Sequence, residues 1–295
     1  MMADLSRLDG AVVIASISGG KDSAAMSLWL KEQGIEHRRV FADTGWEQPL
    51  TYEYLRGPLT AAIGPIDEVR GSWTFEGLVR HKTMFPNRRR TRFCSSVLKV
   101  KPIKAYVKAL PEDRDYVNAV GVRRAESVAR RDLAEWEWQP DFDCWLWRPI
   151  IEWTVNDVVA IHKRHGLALN PLYLLGASRV GCWPCINANK REIRLVAEID
   201  PLRIQRIRDL ESYVQERSTG VPTMFTLRPD GTKHVPAGID KIVAWARSNA
   251  PEASMFDDGC MRWGLCETEP DEEGPCPAAP RPRRPCPARS ASRPT

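Results

Sequence analysis

The sequence predicts an α/β protein built on a doubly wound parallel sheet. Short apolar runs alternate with longer stretches of helical periodicity through most of the chain. A Gly-rich turn follows the first apolar run and leads directly into a helical pattern. This alternation is typical of sheets whose parallel strands are connected by helices. Ligands in such sheets bind at the carboxyl ends of the strands.

Four segments are predicted to form strands. The first, residues 11–17, is almost continuously apolar, and we expect it to be buried on both faces. The others cover 36–42, 66–69 and 115–121. Tryptophans that are often two residues apart indicate further extended segments, in which we expect core or lid packing rather than base stacking: Trp136, Trp138, Trp145, Trp147 and Trp153.

Helical periodicity fills the stretches between these strands. Predicted helices cover 22–33, 49–62, 95–109 and 154–165, and helices dominate 191–217. Pro102 is expected to interrupt or kink the third helix, because proline lacks the backbone donor that a helix interior requires. Thr154 and Asp157 stand at the spacing of an N-cap and an N3 residue, which indicates a capping box.

Composition divides the chain into three parts. We predict an α/β domain over 1–190, a helical region with a cysteine ligand over 191–266, and a disordered Pro- and Arg-rich tail over 267–295. A hydrophobic fraction of 43% and a charged fraction of 27% are typical of a soluble globular protein. Because the sequence has neither a run of about 18 apolar residues nor the apolar core of a signal peptide, we expect a cytoplasmic protein without a membrane partner.

The Gly-rich turn, Ser18-Gly19-Gly20-Lys21-Asp22-Ser23, predicts an anion site. Glycines allow backbone amides to approach a phosphate, and the start of the following helix adds unpaired donors. The two serine hydroxyls and the lysine supply further donors and a charge. The turn is too short for a Walker A loop and lacks the GxGxxG pattern of a Rossmann site.

Polar residues follow two other predicted strands. Asp43-Thr44-Gly45 comes after the second strand, and Gly121 and Arg123 come after the fourth, followed by Glu126 and Ser127. An arginine beyond a strand can pair bidentately with a phosphate or sulfate group. Glu126 and Ser127 are expected to open the next helix. We therefore expect these residues to converge with the Gly-rich turn on one crevice.

The cysteines predict a second kind of site. Cys182 and Cys185 form a CxxC pair, Cys94 precedes it by many residues, and Cys260 and Cys266 follow it. Four soft thiolates suit an iron–sulfur cluster or zinc. A dithiol redox pair is a further alternative, although the strand–helix context of such pairs is absent around this CxxC.

These motifs together resemble the phosphoadenosine phosphosulfate (PAPS) reductase family of the adenine nucleotide α-hydrolase superfamily, the PP-loop ATP pyrophosphatases. Residues 18–23 are similar to its SGGxDS loop, 43–47 to its DTGxE segment and 121–127 to its GxRxxES segment. The resemblance implies a HUP-like nucleotide-binding domain over 1–190 that takes ATP or PAPS with Mg²⁺. The single Cys94 and the intact loop look closest to the iron–sulfur DNA-phosphorothioation branch.

The resemblance also implies roles for particular residues. Catalytic roles fall on Lys21, Asp22, Asp43 and Arg123. Nucleotide contacts fall on Ser18, Gly19, Gly20, Lys21, Asp22, Ser23, Asp43, Thr44, Gly45, Gly121, Arg123, Glu126 and Ser127. A [4Fe–4S] cluster, with zinc as the alternative metal, would be held by Cys94, Cys182, Cys185 and one of Cys260 and Cys266.

Three functions remain open at this point. The first is ATP-dependent sulfur transfer to a nucleic-acid or small-molecule acceptor, with a sulfur donor protein as partner. The second is a thioredoxin-dependent reductase that forms sulfite from PAPS or adenosine 5′-phosphosulfate (APS). The third is a non-catalytic nucleotide- or nucleic-acid-binding module, which the arginine clusters at 88–92 and 123–131 motivate.

Overall fold

The computed structural model describes residues 5–86, 92–111, 114–140, 142–218, 220–227 and 234–248. Predictions for the tail, for Cys260 and Cys266, and for the arginines at 88–90 lie outside these residues. Within the described ranges, no helix is long and apolar enough to cross a membrane.

The main sheet has six strands in the part of the chain that the structure describes. They are β1 (Val12–Ile17), β2 (His37–Ala42), β3 (Ile66–Val69), β4 (Tyr116–Val120), β5 (Trp136–Gln139) and β6 (Cys144–Trp147). Their order is β3-β2-β1-β4-β6-β5, and all neighbours are parallel except β5 and β6. The chain thus winds outward from β1 in both directions, which confirms the predicted doubly wound α/β class.

Eleven α-helical segments are present in the described ranges. They are α1 (Lys21–Glu32), α2 (Pro49–Tyr54), α3 (Thr60–Ile63), α4 (Phe75–Lys82), α5 (Phe93–Ser95), α6 (Lys101–Lys108), α7 (Val155–Arg164), α8 (Pro171–Leu174), α9 (Lys190–Ile199), α10 (Pro201–Arg217) and α11 (Ile239–Arg247). A small antiparallel pair, β7 (Phe225–Leu227) and β8 (Val235–Ala237), precedes α11.

Two of the predicted helices contain a wider turn. A π-helical turn, Leu55–Leu59, joins α2 to α3, and a second, Ser96–Val100, joins α5 to α6. Pro102 lies in the first turn of α6, directly after the second π turn, so the predicted interruption is confirmed. The capping box at Thr154 is also confirmed, because its hydroxyl accepts from the Asp157 amide at 3.3 Å.

Two large apolar clusters hold the elements together. One lies between the sheet and helices that include α1 and α7, and buries Val13, Leu28 and Ile161. The other joins Trp46, which follows β2, to Ile207 of α10 and Ile242 of α11. The C-terminal helices therefore pack directly on the segment that follows the second strand. The predicted boundary near residue 190 stays a prediction.

Candidate functional site

The Gly-rich turn is closed by its own two serines. The Ser23 hydroxyl accepts from the Ser18 amide at 3.2 Å and donates to the Gly20 carbonyl at 3.1 Å. The Ser18 hydroxyl accepts from the Gly20 amide at 3.2 Å. Gly19 has a φ of 79°, which a residue with a side chain rarely adopts. The turn is therefore a preformed loop between β1 and α1.

Side chains from the α7–α8 region fix the backbone of this loop. The His162 Nε2 lies 2.9 Å from the Lys21 carbonyl, and the side-chain amide of Asn170 donates to the Gly19 carbonyl at 3.2 Å. The Tyr173 hydroxyl accepts from the Lys21 amide at 3.2 Å. These contacts orient the peptide groups of the loop, and sequence reasoning missed all three residues.

An ionic network is buried beside the loop. The Asp22 carboxylate contacts the Lys21 ammonium at 3.0 Å through one oxygen and the Arg123 guanidinium through the other. Glu126 pairs with Arg130 and also accepts from the Arg123 amide at 2.8 Å. Each of these five side chains is at most 6% exposed. Three buried cations against two buried carboxylates give a local charge of +1, which favours an anion at the loop.

Gly121 allows β4 to approach the start of α1 closely. A Cβ at this position would lie 2.7 Å from the carbonyl carbon and oxygen of Asp22 and from the Cα of Ser23. No side chain fits at these distances. The glycine predicted at this strand end is therefore required by backbone packing.

The Asp43-Thr44-Gly45 segment is held by a different set of contacts. Asp43 accepts from the Tyr52 hydroxyl at 2.6 Å, from the Gly45 amide at 2.8 Å and from Arg70 Nε at 3.0 Å. Burial raises the pKa of Asp43, but these three hydrogen bonds outweigh burial and hold the pKa below its ordinary value. Asp43 is therefore an anion at neutral pH.

Glu47 links this segment to the CxxC pair. One Glu47 oxygen accepts from the Thr44 hydroxyl at 2.7 Å and lies 3.9 Å from the Cys182 sulfur. The Cys182 backbone forms a β-bridge with Glu47. The neighbouring Trp183 amide donates to the Trp46 carbonyl at 2.9 Å. The CxxC loop is thereby attached to the end of β2.

Some of the predicted site residues line two adjoining spaces, whereas the four predicted catalytic residues line neither: Lys21, Asp22, Asp43 and Arg123. The loop crevice, of about 520 Å³, is lined by Ser18, Ser23, Lys99 and Gly121 among others. The thiol cavity, of about 370 Å³, is lined by Cys94, Cys182, Cys185 and Lys99 among others. No disulfide joins the cysteines of the described ranges. Lys99, which was not among the predicted site residues, lines both spaces.

Two of the predicted roles differ from what the structure shows. Arg123 was expected to clamp a phosphate, and the structure places its guanidinium on Asp22. Ser127 was expected to open a helix with Glu126. Glu126 and Ser127 instead lie at a pair of short 3₁₀ turns, Arg124–Glu126 and Val128–Arg130.

Comparison with known proteins now identifies the relationship. The model of the phosphoadenosine phosphosulfate reductase domain family matches residues 12–188. This chain belongs to that family. The matched range begins at β1 and ends just before α9, so it contains the loop crevice, Cys94 and the CxxC pair.

Individual relatives are distant. An uncharacterised 37.8 kDa protein of Escherichia phage 186 is 33% identical over 256 residues, 70% of this chain and 76% of the phage protein. The adenosine 5′-phosphosulfate reductase of Allochromatium vinosum is 32% identical over 95 residues, 32% of this chain and 35% of that protein. The chain thus spans about a third of that reductase. The solved PAPS reductase of Candida auris, in a phosphate complex, has a TM-score of 0.45 and 20% identity, covering 58% of this chain and 81% of that one.

Proposed function

We propose that this chain is an enzyme that cleaves ATP between its α and β phosphates and transfers sulfur with the help of an iron–sulfur cluster. One observation carries the proposal. A complete phosphate loop opens on a crevice that adjoins a cavity lined by three thiols, and Lys99 lines both. A nucleotide and a sulfur centre would therefore lie on either side of one lysine.

In the proposed reaction, an oxygen atom of the acceptor attacks the α-phosphorus of ATP. Pyrophosphate leaves, and the proton of the acceptor passes to solvent. A sulfur nucleophile then displaces AMP, which departs with that oxygen, so the acceptor exchanges a bond to oxygen for a bond to sulfur. The loop amides and the hydroxyls of Ser18 and Ser23 would stabilise the charge that develops on pyrophosphate.

We assign different roles to the two aspartates of the site. Each oxygen of Asp22 contacts a cation, Lys21 or Arg123, so we assign Asp22 to orienting the loop. Asp43 is anionic, lies at the end of β2 and is in contact with Arg70. We assign Asp43 to the same edge of the nucleotide site, where it would orient Mg²⁺.

The donor set fits an iron–sulfur cluster. Cys94, Cys182 and Cys185 line one cavity, and thiolates are the ligands that such clusters take. In the described ranges, no three His, Cys, Asp or Glu side chains stand close enough together to hold a metal ion, and zinc stays the alternative metal. Cys260 or Cys266 would supply the fourth thiolate. When bound, the cluster would relay sulfur or electrons.

A reductase of a sulfonucleotide is the second candidate, because the relative from Allochromatium vinosum is an adenosine 5′-phosphosulfate reductase. In that reaction a thiolate of Cys266 or Cys260 attacks the sulfate sulfur, the phosphate of the nucleotide leaves, and a dithiol protein such as thioredoxin releases sulfite. The first candidate needs one of these two cysteines on the metal, whereas the second needs one as the nucleophile.

Product analysis separates the candidates. We would incubate the anaerobically purified full chain with ATP and Mg²⁺, in the presence and absence of a nucleic-acid acceptor, and separately with PAPS or APS and thioredoxin. Pyrophosphate release from ATP is the expected result. Sulfite release would assign the chain to the reductases, and nucleotide binding without either product would assign it to the non-catalytic alternative. The acceptor, the donor protein and the cytoplasmic location stay predictions.

Matched cysteine variants test the cluster. Cys144 is buried in β6, outside the thiol cavity, and burial raises the pKa of its thiol to about 11, so it is a poor ligand. We expect Cys182→Ala to lose iron and acid-labile sulfide and Cys144→Ala to retain both. Equal retention in the two variants, or zinc in place of iron, would contradict the cluster.

A further inference from the structure

A third cavity adjoins both spaces described above. This side cavity has a volume of about 520 Å³ and is lined, among others, by Ser18, Lys99, Arg179, Cys182, Cys185 and Glu192. It shares Ser18 and Lys99 with the loop crevice and the two cysteines with the thiol cavity. A molecule bound there would therefore contact the phosphate loop on one side and the CxxC pair on the other.

The side cavity carries a fixed cation in its wall. Arg179 Nε donates to Glu192 at 2.8 Å, and the two side chains are only 10% and 7% exposed. Glu192 also accepts from the Ser178 hydroxyl at 2.9 Å and from the Asn189 amide at 3.1 Å, as part of the capping box of α9. Because Glu192 is held on three sides, it fixes the position of Arg179.

Charge and polarity define what the side cavity would bind. Among the described residues, its charged side chains are two cations, Lys99 and Arg179, and one carboxylate, Glu192, which favours an anionic group over a cationic one. Much of the remaining lining is apolar and includes the buried side chains of Trp183 and Val196.

We propose that the side cavity binds a small anionic co-substrate with an apolar body, placed between the nucleotide and the sulfur centre. The inference rests on the proposed function, since it names the class of molecule that exchanges sulfur there. A nucleic acid, the other class of acceptor, matches this lining less well because the cavity has one buried apolar wall and only two cations.

Calorimetric titration of the full chain tests the proposal. The probe is benzenesulfonate, and the control probe is the neutral benzenesulfonamide. Both are titrated into the protein alone and into protein saturated with α,β-methylene-ATP, which occupies the phosphate loop. We expect the sulfonate to bind at least about tenfold more tightly than the sulfonamide in both cases. Equal affinities would overturn the proposal, as would displacement of the sulfonate by a short oligonucleotide.

Variants locate the binding. Arg179→Gln is expected to abolish the preference for the sulfonate, whereas Arg191→Gln, which changes an exposed arginine of α9 next to Glu192, should keep it. The double variant Arg179→Gln/Glu192→Gln removes both charges of the buried pair and guards against misfolding caused by an unpaired Glu192. Retention of the preference in both Arg179 variants would overturn the assignment.

The nucleotide arm separates this inference from the proposed function. Failure of α,β-methylene-ATP to bind, with sulfonate binding intact in the protein alone, would remove the ATP reaction and leave the side cavity as an anion site. Nucleotide binding without sulfonate binding would leave the ATP reaction in place and overturn the anion site in the side cavity.

Discussion

Gly121, directly after β4, lies against the backbone at the start of α1. A methyl group there would lie 2.7 Å from three backbone atoms of the phosphate loop, and backbone atoms cannot move aside as a side-chain tip can. We expect Gly121→Ala to lower the free energy of unfolding by about 1–3 kcal/mol and to weaken nucleotide binding. Urea denaturation and nucleotide titration measure the two effects.

A second glycine provides the control for this prediction. Gly181 lines the same loop crevice, but a Cβ there would meet nothing within 4 Å. Gly181→Ala should therefore leave stability and nucleotide affinity close to those of the parent chain. Equal effects of the two substitutions would show that crevice volume, and not the approach of β4 to α1, sets the requirement for glycine.

Asp22 separates two buried cations. Asp22→Asn would leave Lys21 and Arg123 close together without the carboxylate between them, at exposures of 6% and 1%. Removing one partner of a buried ion pair is strongly destabilising, so we expect a loss of about 3 kcal/mol or more in the free energy of unfolding.

The exposed pair of Arg56 and Glu68 serves as the comparison for Asp22. Their side chains are 58% and 32% exposed, so Glu68→Gln should cost less than about 1 kcal/mol. Denaturant unfolding of both variants at one pH gives the measurement. A small effect of Asp22→Asn would mean that the network relaxes around the lost charge, and the loop-orienting role of Asp22 would then be wrong.

At the scale of elements, the sequence was sufficient for the strands and long helices. The strand at 11–17 was predicted to within one residue, because burial in a parallel sheet leaves a continuous apolar signal, and the edge strand at 66–69 was predicted at its observed bounds. The phosphate loop was equally predictable, since all its closing contacts lie within five residues of one another.

The remaining site residues gave no local signal. His162, Asn170 and Tyr173 reach the loop across 141, 151 and 152 residues of chain. Lys99 lines the crevice only because α5, the π turn and α6 pack beside it. Such contacts are produced by tertiary packing, so a single sequence contains no pattern that predicts them.

A contact between α10 and α11 predicts that the stability of the fold depends on pH. Both oxygens of Glu211 accept from the Ile239 amide, at 3.1 and 2.9 Å, at the start of α11. Burial raises the pKa of Glu211 from 4.5 to about 7 despite this hydrogen bond, with Asp240 adding to the rise and Arg208 opposing it. A carboxyl with a higher pKa in the folded state takes up protons on folding. Its contribution to stability is therefore lost as pH rises from about 4.5 to about 7.

Glu211→Gln removes this titration. We expect the stability of the variant relative to the parent chain to increase between pH 5 and pH 8, by on the order of 2 kcal/mol. Urea unfolding at the two pH values measures the difference, and Glu216→Gln, an exposed position on the same helix, should show no such change. The same difference at both pH values would contradict a raised pKa for Glu211.

At the scale of the whole molecule, Arg203 is one of the side chains that couple the C-terminal helices to the site. Arg203 of α10 donates to the Trp46 carbonyl at 3.3 Å and to the Glu47 carbonyl at 3.2 Å. Its guanidinium also lies 4.1 Å from the centre of the Trp46 ring. Because Glu47 forms the bridge to Cys182, Arg203 holds the backbone on which the CxxC loop is placed.

Arg203→Lys keeps the charge but loses the planar fork that reaches two carbonyls. We expect the free energy of unfolding to fall by about 1–3 kcal/mol, and the retention of iron and the release of pyrophosphate to fall with it. Arg206 on the same helix also lies over the Trp46 ring, at 5.3 Å, but its charge pairs with Glu76 and it is 47% exposed. Arg206→Lys should therefore leave all three quantities nearly unchanged. If both variants lose stability equally while keeping iron, the contact with the ring matters and the coupling through the Trp46 and Glu47 carbonyls does not.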